Sequence, residues 1–155
     1  MRGFARVSAA VPAAHVADFD ANAVQTLSLW KEAHTVGSAV VVFPELGLCG
    51  YSTRDLLQDA HLQARCLDTL RMLRDESASL APLAIVGLPL RLGGALYNVA
   101  AVVHRGRILG VVPKAYLPNY REFEEARWFR PGVEVPANGT IELCGDTVPF
   151  GMDLL

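Results

Sequence analysis

The sequence predicts an α/β domain on a mixed, largely buried sheet, and three observations carry that prediction. Short β-branched runs recur along the 155-residue chain and are apolar throughout rather than alternating, the mark of strands covered on both faces. The first three runs are separated by long segments of helical period, as in β-α-β connections. Two later runs are joined by a short glycine-containing link, as in an antiparallel hairpin. A composition of 52% hydrophobic and 19% charged residues excludes a disordered chain. The length is that of one domain with enough residues for a core.

Residues 4–11 form the first expected strand. The same stretch begins with arginines, but its apolar run is short and Pro12 interrupts it, so it reads as a strand and not as a secretory leader. Across residues 20–34, Val24, Leu27 and Trp30 recur at helical spacing and Gly37 offers a stop. The second strand spans 39–43. A longer helix over 57–80 places Leu62, Cys66, Leu70 and Leu73 on one stripe and Arg65, Asp68, Arg71 and Asp75 in solvent. Strands follow at 83–88, 99–104 and 108–112, with Arg105-Gly106 as a tight turn between the last two, and more weakly at 141–143. Residues 113–132 fit no element. A dense run of charges, aromatics and prolines at such a place is more often functional than idle.

Two of these strands end alike. The second delivers Glu45 and the run before Pro113 delivers Lys114. At neighbouring strand ends the two would stabilise each other's charge, and an apolar mouth would raise the carboxylate's pKa. The pair suits acyl chemistry, with the carboxylate accepting a proton and the ammonium donating to a developing oxyanion. Both residues read equally as ordinary charges at strand ends. A net charge of -2 gives no basic footprint for nucleic acid. No stretch approaches the ~20 apolar residues of a membrane span. His15, His34, His61 and His104 are scattered, without the paired spacing of a metal site. Cys49, Cys66 and Cys144 are odd in number and lack CxxC spacing, which points to reduced thiols and a cytoplasmic protein.

Three stretches together carry a resemblance: FPELGLCGYSTRDLL, YNVAAVVHRGRILGVVPKAYLPNYREFEEARWFRPG and VPFGMDLL. They resemble the nitrilase (carbon-nitrogen hydrolase) superfamily and, more narrowly, the glutamine amidotransferase domains of glutamine-dependent NAD synthetases. The resemblance implies an αββα sandwich in which two mixed sheets stack between helices, and the sandwich is expected to be incomplete in this chain. It implies a Glu-Lys-Cys triad in which Glu45 is the general base and Lys114 stabilises the tetrahedral intermediate. Glu125 would orient the lysine, with Glu122 the weaker candidate, and Tyr51 and Tyr120 would line the glutamine pocket. The same tyrosines also read as half-buried core aromatics. Ammonia would pass to a synthetase domain absent from this chain, where ATP with Mg activates deamido-NAD. No cofactor is implied in the hydrolase domain itself, and homo-oligomers are expected.

The triad needs a thiolate. Cys49 follows Glu45 by four residues in a turn, and Cys66 falls on the apolar helix stripe. Cys144 ends an apolar run, but the segment after it resembles what precedes the family's nucleophile strand. The expectation is that the chain ends at Leu155 before the nucleophile, and that the isolated chain is marginally stable or self-associates through an uncovered sheet. Two other readings stay open: a carbon-nitrogen hydrolase acting on an aliphatic amide or carbamoyl compound, and a non-catalytic interaction module. Glutamine as the substrate rests on the resemblance alone.

Overall fold

The computed structural model of the protein describes residues 3–137 and 139–154. Arg2, in the leader-like N-terminus, and Leu155, at the end of the last matching stretch, lie outside them, as do Met1 and Asn138. The chain opens with β1 (Val7–Ala9), crosses through α1 (Phe19–Thr35) to β2 (Val40–Val42), and passes a 3₁₀ segment (Tyr51–Gln58) into α2 (Ala60–Glu76). A meander of β3 (Leu83–Leu92), β4 (Ala95–His104) and β5 (Arg107–Pro113) follows, and β6 (Gly139–Leu143) and β7 (Asp146–Phe150) form a hairpin. All seven strands join one mixed sheet in the order β1-β2-β3-β4-β5-β7-β6. β1, β2 and β3 run parallel, β4 and β5 continue antiparallel, and β7 pairs parallel with β5.

Each helix starts at an aspartate. Asp18 accepts from the Ala21 amide at 3.0 Å and Asp59 from the Leu62 amide at 2.9 Å, satisfying first-turn donors that have no partner within the helix. Leu62, Cys66, Leu70 and Leu73 of α2 are buried as the spacing predicts. The predicted helix over 57–80 is shorter at both ends, because 3₁₀ turns occupy residues 51–58 and 77–79. In α1 the buried stripe is Phe19, Ala23, Thr26, Trp30 and Ala33. Val24 is 66% exposed, so that part of the expected stripe is corrected. The Trp30 indole donates to the Pro82 carbonyl at 3.0 Å, giving this buried ring its polar partner.

Both helices lie on the same side of the sheet. Register places Val41, Ala84, Val86, Leu88, Val99, Ala101, Val103, Ile108 and Val111 on one face, and all of them are buried. The opposite face carries Val42, Ile85, Ala100 and Val112, and Val42 is 42% exposed. The strands read as apolar on both sides, yet among the described residues only one side is covered. Of the four layers the resemblance implies, these residues build two, a helical layer and one sheet.

Three hairpins use the same device. Gly93-Gly94, Arg105-Gly106 and Cys144-Gly145 each place two successive residues at positive φ, the geometry whose twist matches flanking antiparallel strands. The Arg105-Gly106 turn is where the sequence places it. β3 and β4 run further than predicted, meeting at Leu92 and Ala95, and β7 has no counterpart among the expected strands.

Candidate active site

β2 and β5 are not neighbours, since β3 and β4 lie between them. The expectation of adjoining strand ends is corrected in that respect, and the backbone after β2 explains how Glu45 and Lys114 still meet. The turn at Pro44–Gly47, closed by the Gly47 amide on the Pro44 carbonyl at 3.1 Å, bends across β3 and is tied there by the Leu48 amide to the Gly87 carbonyl at 3.2 Å. A Cβ on Gly87 would stand 2.6 Å from the Pro44 oxygen and 2.6 Å from the Leu46 nitrogen. Only glycine lets the turn lie this close to the sheet. Leu46 takes φ 52 to complete it, a left-handed conformation of the kind held at functional sites.

That path carries the Glu45 carboxylate over β4 to Lys114. Lys114 Nζ donates to Glu45 Oε1 and Oε2 at 3.0 Å each, and to Glu125 Oε1 at 2.9 Å. Glu125 comes from a 3₁₀ turn (Glu125–Arg127) inside the dense 113–132 segment. It is only 1% exposed, and the Tyr51 hydroxyl donates to its Oε1 at 2.9 Å. Its Oε2 lies 2.9 Å from Lys114 Nζ but outside hydrogen-bonding angle, and has no other partner among the described residues. The ammonium thus neutralises a buried carboxylate and holds a half-exposed one.

Burial alone would lower the Lys114 pKa, but the hydrogen bonds it donates to both glutamates and their charges outweigh it, and the value is raised. Lys114 stays an ammonium through the neutral range. Burial first, and then the hydrogen bond to Glu125, push the Tyr51 hydroxyl well above its usual range, so Tyr51 remains a donor. The Tyr51 turn and the Glu125 turn are clasped further along. Asp55 accepts from Arg127 Nε at 2.8 Å, from Arg127 Nη2 at 3.1 Å and from the Trp128 indole at 2.7 Å.

The structure brings Glu45, Lys114, Glu125 and Tyr51 together. Tyr120 is 63% exposed and joins them through Phe123, whose ring meets Tyr120 edge-on at 5.7 Å and Tyr51 at 6.5 Å. Glu122 lines a small cleft with Arg54, Glu124 and Tyr51, and makes no bond to Lys114 among the described residues. Two site residues escape a sequence reading. Asn98, 3% exposed, donates its side-chain amide to Glu45 Oε1, and its carbonyl accepts from the Lys114 amide at 2.8 Å. Phe123 is the other. Each sits in a quoted stretch, but neither type signals chemistry by itself.

Beside the charges, a cavity of about 500 Å³ is lined by Val42, Ile85, Gly87, Ala100, Val112 and Met152 of the uncovered face, with Glu45, Asn98 and Lys114 at one end. No cysteine lines it among the described residues. Cys49 and Cys66 are fully buried. Cys144 occupies the β6–β7 turn, its thiol 3.9 Å from the Leu67 carbonyl of α2 and its own carbonyl accepting from Arg74 at 2.7 Å. That is the helix-covered side. Burial pushes the Cys144 thiol up, against the lowering charges of Arg71 and Arg74.

Among the described residues no helix is long and apolar enough to cross a membrane. The glutamine-dependent NAD(+) synthetase of Mycobacterium tuberculosis is 49% identical over 154 residues, covering 99% of this chain and 22% of that protein. The Aquifex aeolicus protein of the same name is 36% identical, covering 88% of this chain and 23% of its own length. The chain thus spans about a fifth of the curated relatives it matches. In structure it superposes on a glutamine-dependent NAD(+) synthetase from Cytophaga hutchinsonii with a TM-score of 0.84 and 25% identity, covering 95% of this chain and 25% of that one. An amidase from Nesterenkonia shares the fold at a TM-score of 0.69 and 19% identity, with 94% of this chain on 54% of it. The carbon-nitrogen hydrolase profile matches residues 7–147, and the chain belongs to that family.

Proposed function

We propose that this chain supplies the base and the lysine of a glutaminase, which releases ammonia from the side-chain amide of glutamine. The observation that carries the reading is one ammonium shared by an accessible and a buried carboxylate at the mouth of an apolar cavity. Similarity to glutamine-dependent NAD(+) synthetases over nearly the whole chain supports glutamine as the amide. In the reading, Glu45 takes the proton of a thiol, and the thiolate adds to the amide carbon. Once Glu45 is protonated it accepts more weakly from Lys114. An ammonium proton is then free to bind the oxyanion forming on the amide oxygen. Glu45 returns its proton to the leaving nitrogen, ammonia departs, and the thioester is hydrolysed by water that Glu45 deprotonates. The balance is glutamine plus water to glutamate plus ammonia.

The thiol comes from residues outside these 155, a placement supported by the positions of Cys49, Cys66 and Cys144 away from the cavity. The ammonia serves a synthetase portion that uses ATP, Mg and deamido-NAD, in a cytoplasmic homo-oligomer. Two assays of ammonia release test this. The chain alone, with and without Cys144→Ala, is expected to be inactive in both forms; activity lost in Cys144→Ala would make Cys144 the nucleophile. The chain substituted for the matching segment of the Mycobacterium tuberculosis relative is expected to keep glutamine-dependent activity and to lose it with Glu45→Gln. An inactive substitution beside an active parent refutes the glutaminase reading.

A further inference from the structure

We propose that Asn98 is a positioning residue that holds the Glu45 carboxylate against Lys114 and leaves Glu45 Oε2 as the oxygen that takes the proton. The proposal rests on the reading of Glu45 as proton acceptor. Asn98 is 3% exposed and bonds to both members of the pair. Its side-chain nitrogen donates to Glu45 Oε1, and its backbone carbonyl receives the Lys114 amide at 2.8 Å. A carboxylate only accepts, so the Asn98 amide must present its nitrogen, and the orientation is fixed. β4 thereby sets the reach of both charges from one residue, although their own strands are not neighbours.

The two Glu45 oxygens become unequal as a result. Among the described residues, Oε1 accepts from Asn98 and from Lys114, whereas Oε2 accepts from Lys114 alone at 3.0 Å. Oε1 has two donors on its lone pairs and Oε2 one, so Oε2 is the oxygen with room for the incoming proton. Without Asn98, Glu45 is free to swing off the lysine into solvent, where its 39% exposure already places part of it.

The protein contains two lysines, Lys31 and Lys114, so a ¹⁵N-lysine sample gives one titrating ammonium signal for each. Asn98→Leu removes the donor at similar volume, and the Lys114 midpoint is expected to fall towards the ordinary lysine value as Glu45 departs. Asn98→Asp removes the donor but adds a carboxylate beside the ammonium, and the midpoint is expected to rise above the wild-type one. Loosened packing alone moves both variants in the same direction. Equal or same-direction shifts overturn the proposal. Should either variant fail to fold, Glu45→Gln in the otherwise native chain serves instead. The Asn98 side-chain amide protons are expected to lose the downfield position and slow exchange that a charge-assisted bond confers, and unchanged signals overturn the proposal. Neither readout depends on glutamine turnover, so a failed glutaminase assay leaves this test standing.

Discussion

Replacing Lys114 with methionine removes the cation and keeps most of the apolar stem. Two carboxylates lose their partner, and they lose it unequally. Glu125 is 1% exposed and, among the described residues, keeps only the Tyr51 hydroxyl as a donor. Removing one member of a buried pair costs about 3–5 kcal/mol, because the remaining charge is left without compensation. Glu45 is 39% exposed, and its share is within the ~0–1 kcal/mol of a solvent-screened pair. The sum is about 4 kcal/mol, nearly all of it from Glu125. With a urea dependence of about 2 kcal/mol/M, the unfolding midpoint followed by Trp30 and Trp128 fluorescence is expected to fall by about 2 M. The double variant Lys114→Met/Glu125→Gln is expected to recover most of the loss, since a neutral amide needs no counter-ion. A Lys114→Met midpoint equal to wild type, or no recovery in the double variant, would refute the assignment of the cost to buried charge.

Gly87→Ala places a methyl 2.6 Å from two backbone atoms of the Glu45 turn. A loss of about 1–3 kcal/mol in stability is expected from overpacking, read as a lowered Tm, and an unchanged Tm would show the turn to be freely displaced. In thiol titration of the folded chain, Cys144 is expected to react slowly, and Cys49 and Cys66 only after denaturation, because both have 0% exposure. Asp55 is held down to about 2 by its bonds to Arg127 and then Trp128, below its unfolded value of about 4. Its contribution is present above pH ~4 and disappears as pH falls towards ~2. Wild type is expected to lose more urea resistance than Asp55→Asn between pH ~5 and ~2.5, and parallel losses would exclude the clasp.

The α2 stripe was legible because Leu62, Cys66, Leu70 and Leu73 repeat over three turns with charges opposite. α1 misled because Val24 is apolar but exposed, while Ala23 and Thr26 do the packing. The β3–β4 turn was missed because Arg91 and Asn98 break the apolar runs on either side of Gly93-Gly94. In the fold those polar groups are used, Arg91 on Gln63 at 2.8 Å and Asn98 on Glu45. β7 was missed because only Val148 and Phe150 of its five residues face the core. Glu45, Lys114 and Glu125 stood out through their motif context, since a charge at a strand end is ordinary by itself. The passage of the Glu45 turn over Gly87 is a tertiary contact, and no local pattern announces it.

The uncovered face of the sheet has an electrostatic consequence. Its apolar side chains run up to Glu45 and Lys114, so whatever body lies against Val42, Ile85, Ala100 and Val112 also removes water from that pair. Two unit charges about 4 Å apart attract by ~1 kcal/mol in bulk water and by ~4 kcal/mol at an effective dielectric constant near 20. The strength of the pair is thereby tied to occupancy of the apolar surface it borders. Salt sensitivity of the Lys114 signal, high while the face is open and low once it is closed, gives a measure of that occupancy from inside the site.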